Sequence, residues 1–178
     1  MKNALLSFKT STFELKKMRC LAVTAILVSM SIILGFLAFS TFTIRISFAY
    51  FPLAIIAYFY GPAVSVYAAT AIDLINFMFN PMNGFNPGLT LCAIITGMIY
   101  GLFLYQKKIV WTRIVVTFLT NSLICNLLLK SYFLAIYNGI SWPAMMITRL
   151  PVQIIMLVLE ASLFITIFPK IKLLKNKL

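Results

Sequence analysis

"FAYFPLAIIAYFYGPAVSVYAATAIDLINFMF" runs from Phe48 to Phe79 and carries a single charged residue, Asp73. As one helix it would be about 48 Å long at 1.5 Å per residue, far more than the roughly 30 Å of hydrocarbon in a bilayer. Gly61-Pro62 interrupts it. Glycine ends helices well and proline starts them well. The stretch therefore reads as two helices, 48–60 and 62–79, and the chain as six spans rather than five.

The other spans fall at 20–43, which holds no charge, and at 89–105, 109–137 and 143–168, the last with Pro143 in its first turn. Charge tests the split at Gly61. With six spans, Lys2, Lys9, Lys16, Lys17, Arg19, Lys107, Lys108, Arg113, Lys170, Lys172, Lys175 and Lys177 share one side. The other side keeps Arg45, Lys130 and Arg149. Five spans would send Lys107-Lys108 and the basic tail 169–178 outward. The positive-inside rule selects six spans with both termini cytoplasmic.

Composition agrees. The 178 residues are 62% apolar and 10% charged, with a mean hydropathy of +1.03. A soluble domain of this size could not bury so much apolar surface. Continuous apolar runs exclude an alternating membrane β-barrel. The class is all-α integral membrane, one domain over 1–178. The net charge of +12 flanks the spans and sets orientation, so it does not point to nucleic acid. Residues 1–18 mix Phe and Leu with Lys and read as a cytoplasmic, interfacial segment. Glu14 and the lack of a cleavage site argue against a signal peptide. Cys20, Cys92 and Cys125 share no ligand spacing and there is no histidine, so no metal site is expected.

Ionisable groups within a bilayer need a reason. Asp73, Asn76 and Asn80 share one face of the third span, at i, i+3 and i+7. Arg149, Gln153 and Glu160 share a face of the sixth. Ser122, Asn126 and Lys130 stripe the fifth. Arg45 lies in the outer loop after the first span. The outer halves are the polar halves, which predicts an outward-opening pocket between spans three, five and six, roofed by loops 41–48 and 80–88. Plain structural alternatives exist: polar side chains bond helices to one another, Lys130 can snorkel, and Glu160 can face Arg113 or the basic tail.

"GFNPGLTLCAIITGMIYG", from Gly84 to Gly101, enters its span through a Pro-Gly turn. Irregular backbone at this depth is tolerated beside protein or a watery cavity. Gly88 would let main chain approach a ligand, and Thr90 and the first free amides of the span would bond it. Thr90 as a helix cap is the alternative. The binding candidates are therefore Arg45, Asp73, Asn76, Phe85, Asn86, Gly88, Thr90, Asn126 and Arg149. Arginine suits carboxylates, Asp73 suits a donor–donor edge, and Phe85 among other aromatics offers a ring face.

Four segments in order, "ISFAYFPLAIIAYFYGP" (46–62), "AIDLINFMF" (71–79), "FNPGLTLCAIITGMIYG" (85–101) and "TRLPVQIIM" (148–156), resemble the S components of energy-coupling-factor (ECF) vitamin transporters, and within them the folate-type branch. The resemblance covers nearly the whole chain. It implies the ECF S-component fold in a prokaryotic cell membrane, with folate as ligand and no cofactor. It also implies docking through span one on the EcfT coupling subunit, which works with two cytoplasmic ATPase subunits. The family's Ala-x-x-x-Ala docking motif has its nearest match at Ala25 and Ser29, with Ala22 close by; small-xxx-small still permits close helix approach. The chain has no G-x-x-x-x-G-K-[ST] phosphate loop, so energy must come from partners. Riboflavin and pantothenate remain as alternative vitamins. A non-binding scaffold and an intramembrane enzyme remain as alternative classes, the enzyme disfavoured by the lack of histidine and of paired acids.

Overall fold

The computed structural model describes residues 8, 10–12, 17–36, 39–40, 45–46, 49–79, 86–107 and 110–175. Their order is α1 (Met18–Phe36), β1 (Phe39–Ser40), β2 (Arg45–Ile46), α2 (Tyr50–Tyr60), α3 (Pro62–Phe79), α4 (Pro87–Leu104), α5 (Trp111–Asn121), a π-helical segment (Ser122–Leu129), α6 (Lys130–Asn138) and α7 (Trp142–Lys175). The fold is all-helical apart from the two-residue ladder β1–β2. Among the described residues, five stretches are long and apolar enough to cross a membrane: Met18–Phe36, Pro62–Phe79, Pro87–Leu104, Trp111–Tyr137 and Trp142–Ile167. Helix α2, with 11 residues, is about 16 Å long and lies largely inside the bundle, burying Pro52, Leu53, Ala54, Ile56, Ala57 and Tyr58.

The first helix stops at Phe36, short of the expected position 43. Residues 39–46 are β-branched or aromatic apart from Ser40 and Arg45, a composition that suits a pleated strand. Phe39 pairs with Ile46 and Ser40 with Arg45 in an antiparallel ladder. The last helix continues past the expected 168 to Lys175. The fifth span is one continuous rod, but its middle is π-helical rather than α-helical.

At the α2–α3 corner Gly61 adopts φ +88°, a conformation L side chains rarely take, and its N–H bonds Ala57 O at 3.1 Å. The corner has no local side chain to cap α3. Ser11 supplies the cap from the N-terminal part of the chain: its Oγ accepts from Ala63 N (3.1 Å) and Val64 N (3.3 Å) and donates to Tyr60 O (2.6 Å). Ser11 is fully buried. The expected interfacial segment 1–18 lies mostly outside the described residues, and at Ser11 the chain is sealed into the bundle.

Helices α3 and α4 run antiparallel in close contact. A Cβ on Gly101 would fall 2.2 Å from Pro62 Cα, and one on Gly97 would fall 2.7 Å from Ser65 O. Ser65 Oγ donates to Gly97 O at 2.8 Å. This is the small-xxx-small packing of membrane helices, where bare α-carbons bring backbones together. Around it the core closes with Ala54, Ala57, Val64, Tyr100 and Leu104, and with Phe118 stacked edge-on against Phe164 at 5.6 Å. Ile26 and Ile33 of α1 and Ile147, Ile154 and Val158 of α7 point outward, as lipid-facing residues do.

Gly101→Ala is expected to push α3 and α4 apart at a cost of about 1–3 kcal/mol. The check is the thermal midpoint of the detergent-purified protein, which should fall; an unchanged midpoint contradicts the close α3–α4 contact.

Candidate substrate-binding site

The polar side chains gather at one end of the bundle, formed by the C-termini of α1 and α3, the N-termini of α2, α4 and α7, and α6. On one wall Thr90 Oγ1 of α4 donates to Asp73 Oδ2 of α3 at 2.9 Å. Both side chains are half-buried. The threonine therefore holds the carboxylate and is not the cap of α4. The cap is Asn86, whose side-chain oxygen accepts from Gly88 N at 3.0 Å, a standard way to satisfy a first-turn amide.

Asn76, one turn beyond Asp73, lies against Gly35 of α1: a Cβ at Gly35 would sit 2.9 Å from Asn76 Oδ1. That oxygen is buried without a hydrogen-bond partner among the described residues, the kind of group a ligand or water satisfies. Gly88 is buried, and a Cβ there would fall 2.2 Å from the Phe133 ring. Its bare face packs against Phe133 of α6.

On the facing wall Lys130 Nζ donates to the Tyr50 hydroxyl and lies 4.9 Å from the centre of that ring. Arg149 of α7 is within electrostatic reach of both Tyr50 and Lys130. Tyr50, Lys130 and Arg149 are all half-buried. Cys92, buried on α4, lies within electrostatic reach of Asp73 and Lys130 alike. Asn126 is buried in the π segment, one turn before Lys130. Such segments are rare and recur at functional sites.

Below this end, Asn121 Nδ2 donates to Tyr100 OH at 3.0 Å. Glu160 is buried, with Tyr100 and Lys130 within its electrostatic reach. It therefore faces the interior of the bundle. Arg45 is placed by its backbone on β2, opposite Ser40. Phe85 and the turn 80–85 lie outside the described residues. Ala22, Ala25 and Ser29 are away from this end, exposed on α1, with Ser29 Oγ bonded to Ala25 O at 2.9 Å. No cluster of three or more His, Cys, Asp or Glu occurs among the described residues.

Tyr50 and Phe133 escaped the sequence reading. A tyrosine at the start of a span reads as an interfacial anchor, and a phenylalanine in an apolar helix reads as lipid-facing or core. The only sequence signal for the Tyr50 contact was Lys130, a charge within a span.

The model of the ECF transporter substrate-specific component matches residues 19–168. The chain belongs to that family. A folate transporter FolT from Clostridium novyi is 28% identical over 148 residues, 83% of this chain and 86% of that protein. Another FolT, from Leuconostoc mesenteroides subsp. mesenteroides, is 29% identical over 139 residues, 76% of this chain and 75% of that protein. A crystal structure of FolT bound with folic acid superposes with a TM-score of 0.75 at 26% identity, over 82% of this chain and 88% of that one. As an ECF substrate-specific component the chain is part of a transporter, not an enzyme, and a multi-pass protein of a prokaryotic cell membrane.

Proposed function

We propose that this substrate-specific component binds folate at its polar end and delivers it to an ECF-type importer. The observation that carries the reading is the pairing of two unlike walls, Asp73–Thr90 against Tyr50–Lys130 with Arg149, on a fold shared with FolT bound with folic acid. Folate has a pterin ring with an amino group beside a ring N–H, and a glutamate with two carboxylates. One Asp73 oxygen is committed to Thr90, and the carboxylate keeps acceptor capacity for the pterin donor edge. Arg149, joined by Arg45 from β2, takes the carboxylates. Asn76 and Asn126 supply further polar contacts, with Asn86 and Gly88 beside the Phe133 ring, and Phe85 offers the pterin a ring face.

The polar end faces outward, with both termini cytoplasmic, by the distribution of Lys and Arg. The chain acts as a single transmembrane domain. Its exposed α1 face, with Ala22, Ala25 and Ser29, docks on the EcfT coupling subunit, and two ATPase subunits drive the cycle. Small residues there let a partner helix approach closely.

Two experiments test this. In the first, the purified chain is titrated with folate, riboflavin and pantothenate, following tryptophan fluorescence: Trp142 opens α7 at the polar end and packs against Tyr132, whereas Trp111 opens α5 at the other. Saturable folate binding, weakened about tenfold or more by Asp73→Asn and by Arg149→Ala, is expected. Binding of riboflavin or pantothenate in its place overturns the substrate, and no response to any vitamin in folded protein overturns the function. In the second, Ala25→Leu should abolish co-purification with the coupling subunit and ATPases while leaving folate binding intact; unaltered co-purification rules out docking through this face.

A further inference from the structure

We infer that Lys130, held by Tyr50, is a specificity-determining residue that selects ligands ending in carboxylates. This rests on the proposed folate-binding function and names a determinant within that site.

The first argument is charge balance. Lys130 and Arg149 are like charges within reach of each other and both half-buried, where repulsion is less screened than in bulk water. Among the described residues, the acid on the other wall, Asp73, is bonded to Thr90, and Glu160 is the acid within reach of Lys130. An anionic ligand group offsets the repulsion between the two cations, and a neutral one leaves it in place.

The second argument is geometry. A lysine side chain is long and carries large rotamer entropy. Here its ammonium is tied to the Tyr50 hydroxyl and rests against the same ring. Tyr50 is itself fixed, because Ser31 Oγ of α1 bonds the carbonyl of the preceding Ala49 at 2.6 Å. An ammonium has three donors, so the tyrosine leaves two for a ligand or for Glu160. The side chain is half-buried, not sealed within the core. Its position at the end of the π segment places it on α6 across from Tyr50 on α2, so the contact joins two parts of the bundle exactly where the charges meet.

The test compares folate with a folate whose two glutamate carboxylates are converted to amides. The purified wild-type chain, Lys130→Met and Tyr50→Phe are titrated with both ligands by calorimetry. Wild type is expected to bind folate more tightly than the diamide. Lys130→Met should weaken folate by about ten- to a hundredfold, the range for a hydrogen bond to a charged group, and leave the diamide within about threefold. Tyr50→Phe keeps the ring but frees the ammonium; it should show a smaller loss, again confined to folate, and it carries the test if Lys130→Met does not fold. Equal losses for both ligands mean that the lysine merely braces the helices and overturn the inference, as does no loss for either. A wild-type chain that ignores folate overturns the function and the inference together, whereas folate binding indifferent to Lys130 overturns the inference alone.

Discussion

The contact between α3 and α4 determines where the rest of the chemistry can stand. Pro62 meets Gly101, Ser65 meets Gly97, and toward the other end of the same antiparallel pair Asp73 meets Thr90. Bare α-carbons let two backbones approach closely in a medium that offers helices no hydrophobic drive to associate. That closeness sets the register, and the register delivers a hydroxyl to the carboxylate a little over two helical turns away. Widening the pair would separate Asp73 from Thr90 and leave an acid without its donor inside a membrane, a costly arrangement.

The remaining helices build an electrostatic counterpart to that pair. Only three acids exist in the chain, against 15 Lys and Arg, and two of the acids lie within spans. The cations at the polar end, Lys130 and Arg149, share a wall with Tyr50, while Asp73 occupies the wall built by α3 and α4. A site with a carboxylate on one side and a cationic pair on the other reads a ligand by its two ends. At the opposite end, Ser11 caps α3 in place of a local residue. The corner that joins α2 to α3, and so joins the Tyr50 helix to the Asp73 helix, is thereby braced from the N-terminal part of the chain.

The helical membrane class was legible because hydropathy and charge distribution are properties of the chain itself. The break at Gly61-Pro62 was legible because each residue has a fixed backbone preference. Asp73, Thr90 and Arg149 were legible as anomalies, polar groups in apolar helices. The pairing of Asp73 with Thr90 was not, since it depends on the register of two helices and no local pattern encodes register. The packing of Gly88 against Phe133 was hidden for a related reason: a glycine in a turn announces a close approach but not what approaches. The π segment has neither Pro nor Gly to mark it, and "SLICNLLL" reads as ordinary helix. The end of α1 at Phe36 was hidden by hydropathy, because residues 37–43 carry no charge. Ser11 carried no signal, as a cap supplied from a distant part of the chain has no sequence spacing to recognise.

The central claim is that the ligand lies between the Asp73–Thr90 wall and the Tyr50–Lys130–Arg149 wall. A structure of the purified chain with folate bound tests it most directly. The account predicts ligand density at this polar end, with the pterin edge on Asp73 and the glutamate toward Arg149. Folate bound at the Ser11 end, or against the exposed face of α1, would contradict it.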